Sequence, residues 1–147
     1  MLKILIRILF MLTLARSSGA LADLVLIANA QIDTDTISQE EAINIYMGRL
    51  RQFPSGAVAK PLDLPPSGTE KAHFYRFLIN KNLSDIDAYW ARLVFSGRTS
   101  PPRTVGSSKE VLELVAGDRS VIGYMDRAQM DKRVKVILEL QPKGEGL

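Results

Sequence analysis

The stretch Lys60-Pro-Leu-Asp-Leu-Pro-Pro-Ser-Gly-Thr69 limits the fold more than any other part of the chain. Lys60 to Leu64 alternates polar and apolar residues and reads as a short strand. Pro65 and Pro66 stop it, because proline has no N–H to pair and restricts the residue before it. Beyond them, Phe74, Phe77 and Leu78 share a face at helical spacing, and Glu70, Lys71 and Arg76 lie elsewhere. Strand, tight turn and helix in that order is the context in which α/β folds place a ligand. Ser67, Gly68 and Thr69 supply two hydroxyls and several unpaired backbone N–H groups at the positive end of the helix dipole. They form a candidate anion cradle. Ser67 or Thr69 also suits an ordinary N-cap, and such caps are the commoner use of a turn like this.

The rest of the chain supplies an α/β pattern around this turn. Leu24-Val-Leu-Ile-Ala28 is a continuous apolar run, as in a strand buried on both faces. Ser38-Gln-Glu-Glu41 is a capping box opening a helix with Ala42, Ile45 and Tyr46 on one face. Gly48 is its C-cap. Arg49 to Ala59 reads as loop, with Pro54-Ser-Gly56 a turn. Ser84-Asp-Ile-Asp87 caps a helix striped by Ile86, Tyr89, Trp90, Leu93 and Val94, with Trp90 a core anchor. Gly97 to Gly106 reads as a surface loop. Ser107-Ser-Lys-Glu110 is another capping box, opening a helix that ends at Gly117. Val121 to Met125 and Arg133 to Leu138 read as strands, and Gly123 marks a close approach by backbone or ligand. Gln141 to Leu147 is a loose tail.

Residues 1–22 read as a signal peptide. A basic start with Lys3 and Arg7 precedes an apolar core from Ile8 to Ala15, and Ala20-x-Ala22 is a cleavage pattern. Cleavage after Ala22 leaves one domain, 23–147, in a periplasmic location. Losing Lys3, Arg7 and Arg16 leaves sixteen basic and sixteen acidic residues, so the domain has no formal net charge. That balance argues against a nucleic-acid partner. There is no cysteine, which excludes disulfides and thiolate metal sites. His73 is the single histidine and reads as a surface residue, too little for a metal site or a catalytic triad. No dinucleotide or Walker fingerprint is present. The residues point to neither an enzyme nor a cofactor.

Four segments together resemble the phosphate-binding components of ABC phosphate transporters. Ile45-Tyr-Met-Gly-Arg49 is similar to that family's first helix end, and Pro61 to Thr69 to its phosphate loop. Trp90-Ala-Arg-Leu-Val-Phe-Ser-Gly97 and Val115 to Tyr124 are similar to its later segments, in family order. The resemblance implies an α/β fold, one lobe of a type 2 periplasmic binding protein, with a mixed sheet flanked by helices. It implies an exported solute-binding protein for phosphate or another oxyanion, partnered by a membrane permease or envelope protein, with Ser67, Gly68 and Thr69 as the cradle. Full-length members have two lobes. The family also carries an arginine four positions before the Ser-Gly-Thr serine, where this chain has Asp63. The family spacing places Asp63 near Ser67, where an arginine would restore the charge. An alternative follows from these departures: an interaction domain that keeps the lobe and has lost the ligand.

Overall fold

The computed structural model describes residues 23–141. The proposed signal peptide and residues 142–147 of the tail lie outside it. Its strands are β1 (Leu24–Asn29), β2 (Lys60–Asp63), β3 (Arg103–Thr104), β4 (Val121–Asp126) and β5 (Val134–Glu139). Its helices are α1 (Gln39–Tyr46), α2 (Glu70–Ile79), α3 (Leu83–Phe95) and α4 (Ser108–Gly117). A 3-10 turn spans Arg127–Gln129.

The sheet is mixed, in the order β3-β2-β4-β1-β5. β1 pairs antiparallel with both β4 and β5, and β2 pairs parallel with β3 and β4. All six residues of β1 are buried, which is why that run carries no polar alternation. Each such aliphatic side chain contributes roughly 1.5–3 kcal/mol on burial. Asn29 is the one polar residue in it. Its amide donates to the carbonyls of Val115 and Ala116 at 3.3 and 2.9 Å, tying the strand end to the last turn of α4.

Below the sheet, Tyr46, Phe74, Tyr75 and Tyr124 form a buried aromatic cluster. The Phe74 and Tyr124 rings stack with centroids 3.8 Å apart, and Tyr46 meets Phe74 edge-on at 4.6 Å. These contacts clamp α1 and α2 onto β4.

Several local expectations are refined. The Ser38–Glu41 capping box is complete. The cap of α3 is Asn82 rather than Ser84, since the Asn82 amide oxygen accepts from the Asp85 N–H at 2.9 Å. The capping box at Ser107 is only half formed: its hydroxyl accepts from Glu110, but the Glu110 carboxylate takes the N–H of Gly106 instead of Ser107. The loop from Gly97 to Gly106 contains β3, a two-residue strand too short to show any alternation. The close approach at Gly123 is made by the Val111 side chain of α4, which stands where a Cβ would be. On α3 the apolar stripe is only partly covered: Ile86 and Trp90 are buried, and Val94 is exposed.

Trp90 is 7 % exposed, as expected of an anchor. Its Cη2 lies where a Cβ on Gly48 would come within 2.8 Å, and Gly48 has φ +73°. The glycine therefore serves both the left-handed turn after α1 and the seating of the indole. The indole N–H has no hydrogen-bond partner among the described residues. His73 is half-buried rather than a surface residue, stacked on Phe77 with centroids 5.8 Å apart.

Candidate functional site

The two prolines end β2, and the chain turns through Ser67, Gly68 and Thr69 into α2. Thr69 occupies the N-cap position with helical φ −87° and ψ −20°, and its side chain makes no capping bond. A cap needs extended backbone for the hydroxyl to reach forward, so this helix start is left without one. Ser67, Gly68 and Thr69 are all exposed.

Ser67 and Gly68 line a cavity of about 690 Å³. Its opposite wall is Gly106, Ser107, Ser108 and Lys109, at the start of α4. Leu64 and Met125, at the carboxyl ends of β2 and β4, form its floor. Two helix N-termini therefore converge on one cleft beyond the strand ends. Each contributes about half a positive charge and several N–H donors. Lys109 adds a full charge and makes no ion pair among the described residues. Thr69 is not among the residues that line the cavity. Sequence reasoning identified Ser107 to Glu110 as a cap but missed it as half of a cleft, because only the parallel pairing of β2 with β4 brings the two helix starts together.

One carboxylate lines this cleft and a second holds its wall. Glu70 lines it and folds back against Gly68, occupying the place a Cβ there would take. Glu110 holds the Gly106 N–H at 2.8 Å. Glu70 is an acceptor placed where an incoming anion would also seek donors.

Asp63 is not part of this cleft, which corrects the expectation that it faces Ser67. It is 4 % exposed and its carboxylate is turned into the core. The Tyr75 hydroxyl donates to Oδ2 at 2.8 Å and the Tyr124 hydroxyl donates to Oδ1. The Leu64 N–H also donates to Oδ1, at 2.9 Å, and Lys71 Nζ lies 3.5 Å from Oδ2. Burial, and secondly the Asp63 charge, push the Tyr75 and Tyr124 hydroxyls well above their ordinary range, so both stay protonated donors. An arginine cannot replace a carboxylate that accepts from two hydroxyls and a backbone N–H. What Asp63 does is fix the end of β2, and with it the start of the Pro65–Thr69 turn.

Several solved structures share this fold. A protein described as a phosphate ABC transporter substrate-binding protein, solved with bound phosphate from Clostridium perfringens, superposes with a TM-score of 0.63 at 16% identity over 82% of this chain. An ABC-type phosphate transport receptor from Vibrio cholerae gives 0.62 at 16% identity over 79%. PstS from Borrelia burgdorferi gives 0.59, again at 16% over 79%. The chain therefore has the α/β fold of the matching part of these proteins. The chain spans about half the length of these structures, 48%, 45% and 46% respectively. No protein-family profile and no curated protein sequence matches the chain. In this fold the cleft lies outside the carboxyl ends of β2 and β4, the position open α/β sheets use for ligands. No group of three or more metal-ligating side chains occurs among the described residues.

Proposed function

We propose that the protein is an exported solute-binding lobe whose cleft takes a small oxyanion of the phosphate class. One observation carries this reading: the uncapped start of α2 and the start of α4 face each other across a cleft at the strand ends. The fold is shared with a protein solved with phosphate bound. Ser67 donates its hydroxyl, and Gly68 offers its backbone N–H group. Ser107, Ser108 and Lys109 complete the cradle from the other side. Hydrogen bonds to a charged oxyanion are about twice as strong as neutral ones, so a few such donors suffice for specific binding.

Glu70 sets the selectivity in this reading. A carboxylate repels a fully ionised anion but accepts a hydrogen bond from a protonated one. Phosphate carries such a proton near neutral pH, and sulfate does not. The cleft therefore takes phosphate in preference to sulfate. The exported protein would hand its ligand to a membrane permease or another envelope protein.

Calorimetry of the protein with phosphate, sulfate and a neutral sugar tests the reading. Phosphate should bind and the sugar should not. Ser67→Ala should weaken phosphate, and Glu70→Gln should narrow the gap between phosphate and sulfate. A folded protein that binds neither anion would leave the lobe as an interaction domain instead.

A further inference from the structure

At the other end of β2 lies a second cavity, of about 190 Å³, that the cleft reading does not use. It is bounded by the start of β2, the turn after α1 and the loop that leads into β3. Arg51, Lys60 and Arg103 line it, and no carboxylate does. Trp90 forms part of its wall, beside Ser100 and the Pro101–Pro102 pair.

The cations are not spent on each other's neighbours. Arg51 is held by neutral groups only: Nη2 donates to the Thr99 hydroxyl and, more weakly, to the carbonyl and hydroxyl of Ser100 at 3.4 and 3.5 Å. Those bonds fasten it to the loop that carries Arg103. Arg103 makes no ion pair among the described residues, and Lys60 has only a 3.8 Å exposed contact with Asp118. The domain as a whole has balanced charge, so this concentration is local. Trp90 walls the cavity as a nine-tenths buried indole, its solvent-shielded N–H without a partner among the described residues. Trp90 also borders a neighbouring cavity of about 370 Å³, but Asp63 and Asp87 line that one beside Lys71. The cavity without carboxylates is the one whose lining suits an anion.

We propose that the cavity between Arg51, Lys60, Arg103 and Trp90 is a second anion site, for a multivalent oxyanion such as sulfate, inorganic phosphate or a phosphate monoester. Two guanidinium groups give planar paired donors suited to oxyanion edges, and Lys60 supplies a point charge. The small volume and the proline and tryptophan walls fit one oxyanion group, free or at the tip of a larger molecule. The site is separate from the cleft and does not depend on it, since the cleft lies past the carboxyl ends of the same strands.

Trp90 is the single tryptophan, so the protein gives one indole N–H signal in a nitrogen-15 correlation spectrum. That signal should shift saturably when sulfate, inorganic phosphate or glycerol phosphate is added at constant ionic strength. Saturation with glycerol phosphate at lower concentration than with the inorganic ions would mean the group arrives on a larger molecule. The reverse order would mean a free anion. Either order supports the site. Arg51→Gln with Arg103→Gln should raise the midpoint at least tenfold, whereas Ser67→Ala should leave it unchanged. The spectrum of the double variant serves as the check that it is folded. A shift that never saturates, or a midpoint unmoved in the folded double variant, overturns the proposal. A midpoint moved by Ser67→Ala instead would assign the response to the cleft and also overturn it. The cleft reading stands or falls separately, by the calorimetric effect of Ser67→Ala.

Discussion

The Tyr75 hydroxyl donates to Oδ2 of Asp63 across 2.8 Å, joining the second turn of α2 to the last residue of β2. Tyr124 of β4 binds the other carboxylate oxygen. One buried carboxylate thus ties together two strands and the helix that opens at the cleft. The turn bearing Ser67 and Gly68 starts two residues beyond it, so the cleft wall is anchored by a group that does not itself face the cleft.

Breaking this junction should be costly. Removing one partner of a buried, hydrogen-bonded ion pair strands the other, at about 3–5 kcal/mol. Asp63→Ala and Asp63→Arg should both destabilise the domain on that scale in urea unfolding. Asp63→Asn, which keeps one acceptor oxygen, should cost less. A fully stable Asp63→Arg protein with tighter phosphate binding would return Asp63 to the cleft.

The same junction predicts a response to alkali. Tyr46, Tyr75 and Tyr124 all have hydroxyls raised above the ordinary value of 10.0, first by burial and then by the Asp63 charge. A raised folded value means the unfolded chain loses these protons first. The stabilisation is complete below pH 10 and is lost as pH rises beyond it. Tyrosinate absorbance from these residues should therefore appear together with loss of circular dichroism, and not before it.

Trp90 and Gly48 form a second pair open to test. Trp90→Ala should cost about 3–5 kcal/mol, since it empties a buried site. Gly48→Ala adds a Cβ at a left-handed turn, 2.8 Å from the indole, and should cost about 1–3 kcal/mol. Urea midpoints and Trp fluorescence measure both. An unshifted midpoint for Gly48→Ala would mean the indole yields without strain.

Export is checked at the chain start. N-terminal sequencing of the protein recovered from the periplasm should begin at Asp23. An intact Met1 in a membrane fraction would make the first segment an anchor.

Much of this fold was legible in the chain. The unbroken apolar run of β1, the complete capping box at Ser38 and the proline stop after β2 are local signals. Each depends on residues within a few positions of one another. The candidate cradle at Ser67 and Gly68 was legible for the same reason, since a helix start announces itself by its turn. Its partner wall was not. Ser107, Ser108 and Lys109 read as an ordinary cap until β2 and β4 are laid side by side, about sixty residues apart in the chain.

Asp63 marks the boundary most clearly. In the sequence it stands four positions before a candidate anion-binding serine, and its charge invites an electrostatic reading. The sequence determined that β2 ends there, because two prolines follow. Only the tertiary structure decided which way the carboxylate turns. It turns inward because Tyr75, twelve residues on, and Tyr124, sixty-one residues on, bring hydroxyl donors to one buried point. A buried charge follows its hydrogen-bond partners, and partners that distant in the chain meet only when the sheet has formed.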